Sequence, residues 1–246
     1  MLKDLYFWCF AAVAIALVSC NGSGETHGRI AVATNFLPTA QSLEIIFEAE
    51  TGFTIDLVSG STGQLYTQVI NGAPYDAFLS ADVERVTRLI ESQYGIAASP
   101  FTYALGQLVL LGAEDEEVLK SGAFNRLALA NPDLAPYGLA AKETLTALQL
   151  TETFSNKIIY GQNVGQAFGF VKTGNADLGF VALSQVGEGD VYWRVPNVYH
   201  NPIRQEGLLL TRGKDNKAAK AFMVFLQSAQ ARDLIKASGY AVTGET

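Results

Sequence analysis

Four short stretches of this chain combine small residues with neutral hydrogen-bond donors: Ala33-Thr34-Asn35, Ser59-Gly60-Ser61-Thr62-Gly63, Ala135-Pro136-Tyr137-Gly138 and Asn163-Val164-Gly165. Each falls where a strand or loop hands over to a helix. Each therefore presents hydroxyls or backbone N–H groups at a helix N-terminus, which carries positive partial charge and donors without helical partners. A lone stretch of this kind is most simply a helix cap, because Ser, Thr and Asn are ordinary N-cap residues. Four in one chain, with no charged side chain in any of them, favour an oxyanion held by neutral donors. In open α/β sheets, ligands also gather outside the carboxyl ends of strands.

Signatures of catalysis are scarce. Ser61 is preceded at nucleophile-elbow spacing by Ser59 rather than by glycine. No Gly-Lys-Ser/Thr follows to make a P-loop. The two histidines are His27, read as part of a tether, and His200, read as a surface or loop residue, so a Ser-His-Asp site would rest on His200 alone. The run Glu114-Asp115-Glu116-Glu117 reads as a solvated helix start, with a cation site as the weaker alternative. A secreted α/β hydrolase and a purely structural or sensory lipoprotein are weaker readings for the same reasons.

The elements that would position the four stretches alternate along the chain. Residues 29–33, 53–58, 76–79, 108–111, 127–129, 157–160, 177–181 and 207–211 read as strands. Residues 38–50, 62–70, 81–92, 139–150, 164–173, 217–226 and 229–237 read as helices. In the first helix Pro38 lies in the first turn, Gly52 follows the end, and Ala40, Leu43, Ile46 and Phe47 share a face. Such alternation implies mostly parallel sheets covered by helices. Residues 101–105 run directly into the next strand and read as a crossing between lobes, with a return near 203–207.

With 246 residues, 49% of them hydrophobic, the chain can bury a sizeable core in one or two domains. A net charge of -7 with no Lys/Arg-rich run argues against a nucleic-acid partner. The two cysteines, Cys9 and Cys20, leave no disulfide or cysteine metal site for the body of the protein. Lys3, offset by Asp4, precedes an apolar run over 5–18. At about fourteen residues that run is short for a membrane span and suits a signal peptide. It ends in Leu17-Val18-Ser19-Cys20, which resembles a bacterial lipobox, and residues 21–28 then read as a flexible tether.

From about residue 29 onward the chain resembles the periplasmic molybdate-binding proteins. The resemblance rests on Ala33-Thr34-Asn35-Phe36-Leu37, Ser59-Gly60-Ser61-Thr62-Gly63, Asn71-Gly72-Ala73-Pro74-Tyr75-Asp76, Ser80-Ala81-Asp82, Asn131-Pro132, Ala135-Pro136-Tyr137-Gly138, Val164-Gly165-Gln166-Ala167 and the stretch from Ala176 through Ala182, in this order. It implies an α/β, two-lobed class II periplasmic-binding-protein fold, each lobe a mostly parallel sheet flanked by helices. Lobe I would comprise 29–105 and 206–246, and lobe II 106–205. Matched position by position, Thr34, Asn35, Thr62, Tyr137 and Val164 correspond to the residues that hold the anion. The Thr34-Asn35 pair stands where one branch of the family has Ala-Ser, and Ser61 is placed to share the work of Thr62.

The resemblance further implies molybdate or tungstate as ligand, and no cofactor, catalysis or metal other than the molybdenum of the anion. It implies permease subunits of an ABC transporter as partner. A monomer is expected, in the periplasm or at the cell surface, tied to a membrane by lipid on Cys20. The physics agrees: a fully deprotonated dianion offers only acceptors, and hydroxyls and backbone N–H groups meet it without burying Lys or Arg. Phosphate keeps a proton near neutral pH and would call for an acceptor such as Asp, which none of the four stretches contains. Sulfate has the right charge and a smaller radius, and stays the alternative ligand.

Overall fold

The computed structural model describes residues 26–242; Cys9, Cys20 and the expected signal peptide lie outside the described residues. The chain runs β1 (His27–Ala33), α1 (Leu37–Thr51), β2 (Thr54–Gly60), α2 (Thr62–Ile70), β3 (Ala77–Ser80), α3 (Glu84–Glu91) and β4 (Phe101–Gly106). It continues through β5 (Leu108–Leu111), α4 (Glu116–Ser121), β6 (Leu127–Ala130), α5 (Pro136–Ala147), β7 (Ile158–Gly161), α6 (Val164–Lys172), β8 (Leu178–Ala182) and β9 (Tyr192–Arg194). Then β10 (Ile203–Leu209), α7 (Lys217–Phe225) and α8 (Ala229–Ala237) close it.

Two five-stranded sheets result, ordered β2-β1-β3-β10-β4 and β7-β6-β8-β5-β9. In the first, β10 runs against its neighbours β3 and β4, and in the second, β5 runs against β8 and β9; the remaining pairings are parallel. Strands β3, β5, β6 and β8 are buried at every residue, as strands covered on both faces must be. In β1, Ile30 and Val32 pack with α1, α7 and α8, while Ala31 faces Leu65 and Val69 of α2 and Val86 and Leu89 of α3. The second lobe has a core of its own, built on Leu108, Leu110, Leu127, Leu129, Phe154 and Phe180.

The two sheets share one plan that the sequence does not betray as a repeat. In each, a central strand leads through a helix to the outer strand beside it, and a second helix returns to the strand on its other side. This relates β1, α1, β2, α2, β3 to β6, α5, β7, α6, β8. The four donor stretches follow the carboxyl ends of β1, β2, β6 and β7, which are equivalent strands of the two lobes. Residues 101–105, read as a crossing, are the edge strand β4; the chain passes to the second sheet at Gln107. The return is earlier than 206, because β10 pairs with β4 from Ile203 onward. His27 and Gly28, read as tether, are the first residues of β1, in register with Thr54 and Ile55. Parallel pairing with β2 pulls them into the sheet, and Asp56 and Thr54 bond the His27 ring.

The third helix is shorter than expected, starting at Glu84, because Ser80 and Asp82 hold the preceding turn through the Asp82 N–H and the Arg85 N–H. Helix α5 starts three residues earlier than expected, with Pro136 in its first turn where a missing N–H costs nothing. Its first turn presses on the end of β6: a Cβ on Gly138 would stand 2.2 Å from the Ala130 carbonyl oxygen. Gly138→Ala is therefore expected to destabilise the fold by about 1–3 kcal/mol, as backbone shifts from overpacking do. Urea unfolding of the soluble domain measures this, and an unchanged midpoint would contradict the close approach.

Candidate oxyanion site

Helix N-termini from both lobes converge on one cavity. Thr34, Asn35, Ser61, Thr62 and Ala81 line it from the first lobe, and Ala135, Pro136, Tyr137, Asn163 and Val164 from the second. All five residues matched to anion holders thus meet in one place, with Ser61 beside them. Among the described residues that line it none is charged. The cavity is tight, about 10 Å³ in the measure by which a single water needs roughly 10–15 Å³. Bonds between the lobes close it: Gly63 N–H donates to the Leu134 carbonyl at 2.8 Å, and Arg85 Nη2 to the Asp133 carbonyl at 2.8 Å. Arg85 is itself held by the Asp82 carboxylate. On the opposite side Ser184 Oγ donates to the Asn35 carbonyl at 3.1 Å.

Local sequence explains each placement. Ser61 is the N-cap of α2 in a capping box: its Oγ accepts from Gln64 N–H, while the Gln64 side chain accepts from Ser61 N–H. Thr62 follows as the first helical residue. Asn163 caps α6 by accepting from Gln166 N–H, which makes Val164 the first residue of that helix. At that position a backbone N–H has no acceptor within the helix. Thr34 and Asn35 open a short 3₁₀ helix, Thr34–Phe36, at the end of β1. Tyr137 lies in the first turn of α5 and reaches the crossing strand because residue 106 is glycine; a Cβ there would stand 2.3 Å from the phenol oxygen.

The hydroxyls share an arrangement. Thr62 Oγ1 accepts from Ala81 N–H at 3.2 Å, Ser61 Oγ from Gln64 N–H at 3.2 Å, Thr34 Oγ1 from Ser59 Oγ at 3.3 Å, and the Tyr137 oxygen from Gln205 Nε2 at 3.5 Å. A hydroxyl that accepts from behind has its proton left to give forward. Burial pushes the Tyr137 phenol well above the ordinary tyrosine range, with Tyr240 and Tyr103 adding to the shift, so it stays a donor.

Asn35 lines the cavity and its side chain is also tied to a buried network. Its Nδ2 donates to Gln205 Oε1 at 2.9 Å and to the Tyr240 oxygen at 3.2 Å, so the side-chain N–H groups face a buried network. Tyr240 returns its proton to the Asn35 carbonyl at 2.7 Å. Tyr240, Ser184 and Arg85 carry no signal of their own in the sequence, and Ala81 enters only within the stretch Ser80-Ala81-Asp82. Gln205 left one trace, its place in a run of three polar residues, Arg204, Gln205 and Glu206, inside β10. His200 is buried rather than at the surface, with Nδ1 against the Asn201 carbonyl, and it does not line the cavity. The acidic run opens α4: Asp115 caps it, and Glu116 is held low by Lys120 and by the Tyr199 hydroxyl.

Two α/β lobes that meet over a small guest and surround it with donors make a receptor, and this is the build of a solute-binding protein. The sequence profile of the bacterial extracellular solute-binding proteins matches residues 29–241. The chain is 42% identical to the molybdate-binding protein ModA of Azotobacter vinelandii over 240 residues, covering 93% of this chain and 95% of that one. It is 40% identical to its namesake in Rhodobacter capsulatus, covering 93% and 94%. The solved structure of the periplasmic molybdate-binding protein of Azotobacter vinelandii superposes with a TM-score of 0.83 at 35% identity, over 88% of this chain and 99% of that one. The chain belongs to the bacterial extracellular solute-binding proteins and, within them, to the family of the molybdate-binding proteins.

The buried phenols set an alkaline limit. Tyr103, Tyr137 and Tyr240 are all raised, chiefly by burial. A raised value means that the neutral phenol is favoured in the fold. That contribution is complete below the unfolded value of about 10 and is lost as pH rises past it. The urea midpoint is expected to hold between about pH 7 and 9 and to fall above about 10, less steeply in Tyr137→Phe. A midpoint that is level to about pH 11 would contradict the burial of these groups.

Proposed function

We propose that the protein captures molybdate, and tungstate with it, outside the cytoplasmic membrane and delivers it to the permease subunits of an ABC transporter. The observation that carries this reading is the set of four hydroxyls, Thr34, Ser61, Thr62 and Tyr137, each accepting a hydrogen bond from behind and facing one cavity between the lobes. Val164 adds its backbone N–H from the start of α6, and Asn35 faces the anion from the end of β1 while its side chain joins the network behind. A fully deprotonated tetrahedral dianion suits such a wall, since every one of its oxygens accepts. The molybdate-binding relatives support the choice among dianions.

In this reading the protein catalyses no reaction and needs no cofactor; molybdenum enters only as the anion. The lobes open and close about the two crossings, at Gln107 and just before Ile203. The protein acts as a monomer, tied to the membrane by lipid on Cys20. Among the described residues no helix is long and apolar enough to cross a membrane.

Titration calorimetry of the soluble domain with molybdate, tungstate, sulfate and phosphate tests the ligand. Molybdate and tungstate are expected to bind most tightly, and equal binding of sulfate would overturn the assignment. Thr62→Ala removes one donor to a charged group, worth roughly 1.5–3 kcal/mol, so affinity is expected to drop about ten- to a hundredfold. Val164→Pro removes only an N–H that the helix does not use and is expected to weaken binding with little change in ligand-free melting temperature. Normal affinity in folded Val164→Pro would show that this amide does not touch the anion.

Detergent partitioning tests the anchor. Wild-type protein is expected in the detergent phase and Cys20→Ala in the aqueous phase or unprocessed. Stable retention implies more than one acyl chain, because a single chain holds a protein only marginally. Wild-type protein found wholly in the aqueous phase would refute lipidation.

A further inference from the structure

We propose that Gln205 is a positioning residue that fixes the direction of the Tyr137 hydroxyl and so makes this wall of the cavity a donor only; the proposal rests on the oxyanion reading above. Gln205 is fully buried on β10, where the pairing with β4 shifts register between Gln205 and Glu206. Such a bulge re-aims a side chain, here toward the meeting point of the lobes. The Gln205 carbonyl oxygen accepts from Asn35 Nδ2 at 2.9 Å and from the Tyr103 hydroxyl at 3.0 Å. Tyr103 also lies 3.1 Å from the Ser80 carbonyl. The Asn35 backbone carbonyl takes the Tyr240 proton at 2.7 Å, so the Tyr240 oxygen accepts from Asn35 Nδ2, and the Gln205 atom facing that N–H group is the oxygen. The Nε2 group must then face Tyr137, at 3.5 Å.

An amide N–H cannot accept. A phenol lying against it must turn a lone pair toward it and direct its proton elsewhere, and the cavity is on its other side. The remaining three hydroxyls are oriented by partners from their own lobe: Ser59, Gln64 and Ala81. The Tyr137 contact instead joins a hydroxyl of the second lobe to β10, whose Gln205 is held by Asn35 and Tyr103 of the first lobe. Gln205 therefore links lobe closure to the polarity of the site. An anion that carries its own proton would need an acceptor in this wall, and with Gln205 in place Tyr137 does not offer one.

Gln205→Glu separates this role from packing, because the two side chains have nearly the same shape. A protonated glutamic acid reproduces the amide, with one oxygen accepting and one O–H donating to Tyr137. An ionised glutamate only accepts, so Tyr137 turns its proton away from the cavity and presents lone pairs to the anion. The titratable groups facing this position are the phenols of Tyr103 and Tyr137, with Tyr240 behind Asn35. Glu206 beside it is paired with Arg204, and Asp82 acts on Tyr103 from further off. The phenols keep their protons through neutral pH, so the new carboxyl is the group that titrates.

The experiment is calorimetry with molybdate between about pH 5.5 and 8.5, on wild type, Gln205→Glu, Tyr137→Phe and the double variant, with ligand-free melting temperatures recorded for each. Wild-type affinity is expected to be level across this range. Gln205→Glu is expected to approach wild type at the acid end and to lose about ten- to a hundredfold at the alkaline end, the worth of one hydrogen bond to a charged group. In the Tyr137→Phe background the same change is expected to cost much less, since no hydroxyl is left to reverse. Wild type that binds and Gln205→Glu that shows a level pH profile would overturn the proposal alone. So would an equal loss with and without the Tyr137 hydroxyl, which would mean bare charge repulsion. Wild type that fails to bind molybdate at any pH would overturn the functional reading, and the proposal with it.

Discussion

A hydroxyl whose oxygen already accepts from another donor is set in advance to give its proton to an anion, whereas a free hydroxyl can turn either way. The organisation of this protein follows from that constraint. Two of the cavity hydroxyls are turned by backbone N–H groups, Gln64 acting on Ser61 and Ala81 acting on Thr62. A third is turned by Ser59 across the ends of the adjacent strands β1 and β2. These partners are set by the sheet and the helix caps themselves, so the direction of the donors is a consequence of folding and needs no guest to induce it. Tyr137 is the exception, since its partner Gln205 comes from the strand that joins the lobes.

Magnitudes show what does the holding. Four helix ends aimed at one point contribute roughly 0.3–1 kcal/mol each, and up to about 2 where partly buried. A hydrogen bond to a charged group is worth roughly 1.5–3 kcal/mol. In the proposed reading the oriented hydroxyls and amides therefore carry the greater share, with the helix ends as a supporting field. A buried Lys or Arg would add attraction but would have to shed its own hydration, and a wall of neutral donors avoids that penalty.

Much of this was legible in the sequence. The caps Ser61 and Asn163 are local signals, and the helices they start lie where those signals place them. The first-turn proline of α5 was equally local, yet the helix was expected to start at 139 because its apolar pattern is clearest further on. The resemblance then brought Thr34, Asn35, Thr62, Tyr137 and Val164 together, and the cavity contains all five. What stayed hidden was long-range. Asn35 and Gln205 are 170 residues apart in the chain and Asn35 and Tyr240 205, so no spacing rule joins them. The matching plan of the two lobes was hidden for a related reason: it lies in strand order and direction, which tolerate any apolar residues of suitable size. His200 lies in a loop, as read, yet is buried, because a loop position says nothing of the core that folds over it.

The central claim is that one tetrahedral dianion is held between the lobes by directed neutral donors. The most direct test is a crystal structure of the soluble domain grown with molybdate, with the molybdenum located by its anomalous scattering. The account predicts one molybdenum peak in the cavity and anion oxygens at roughly 2.7–3.0 Å from the Thr34, Thr62 and Tyr137 hydroxyls and the Val164 amide nitrogen. A peak outside this cavity, or anion oxygens bonded to Lys or Arg side chains in place of these groups, would contradict it.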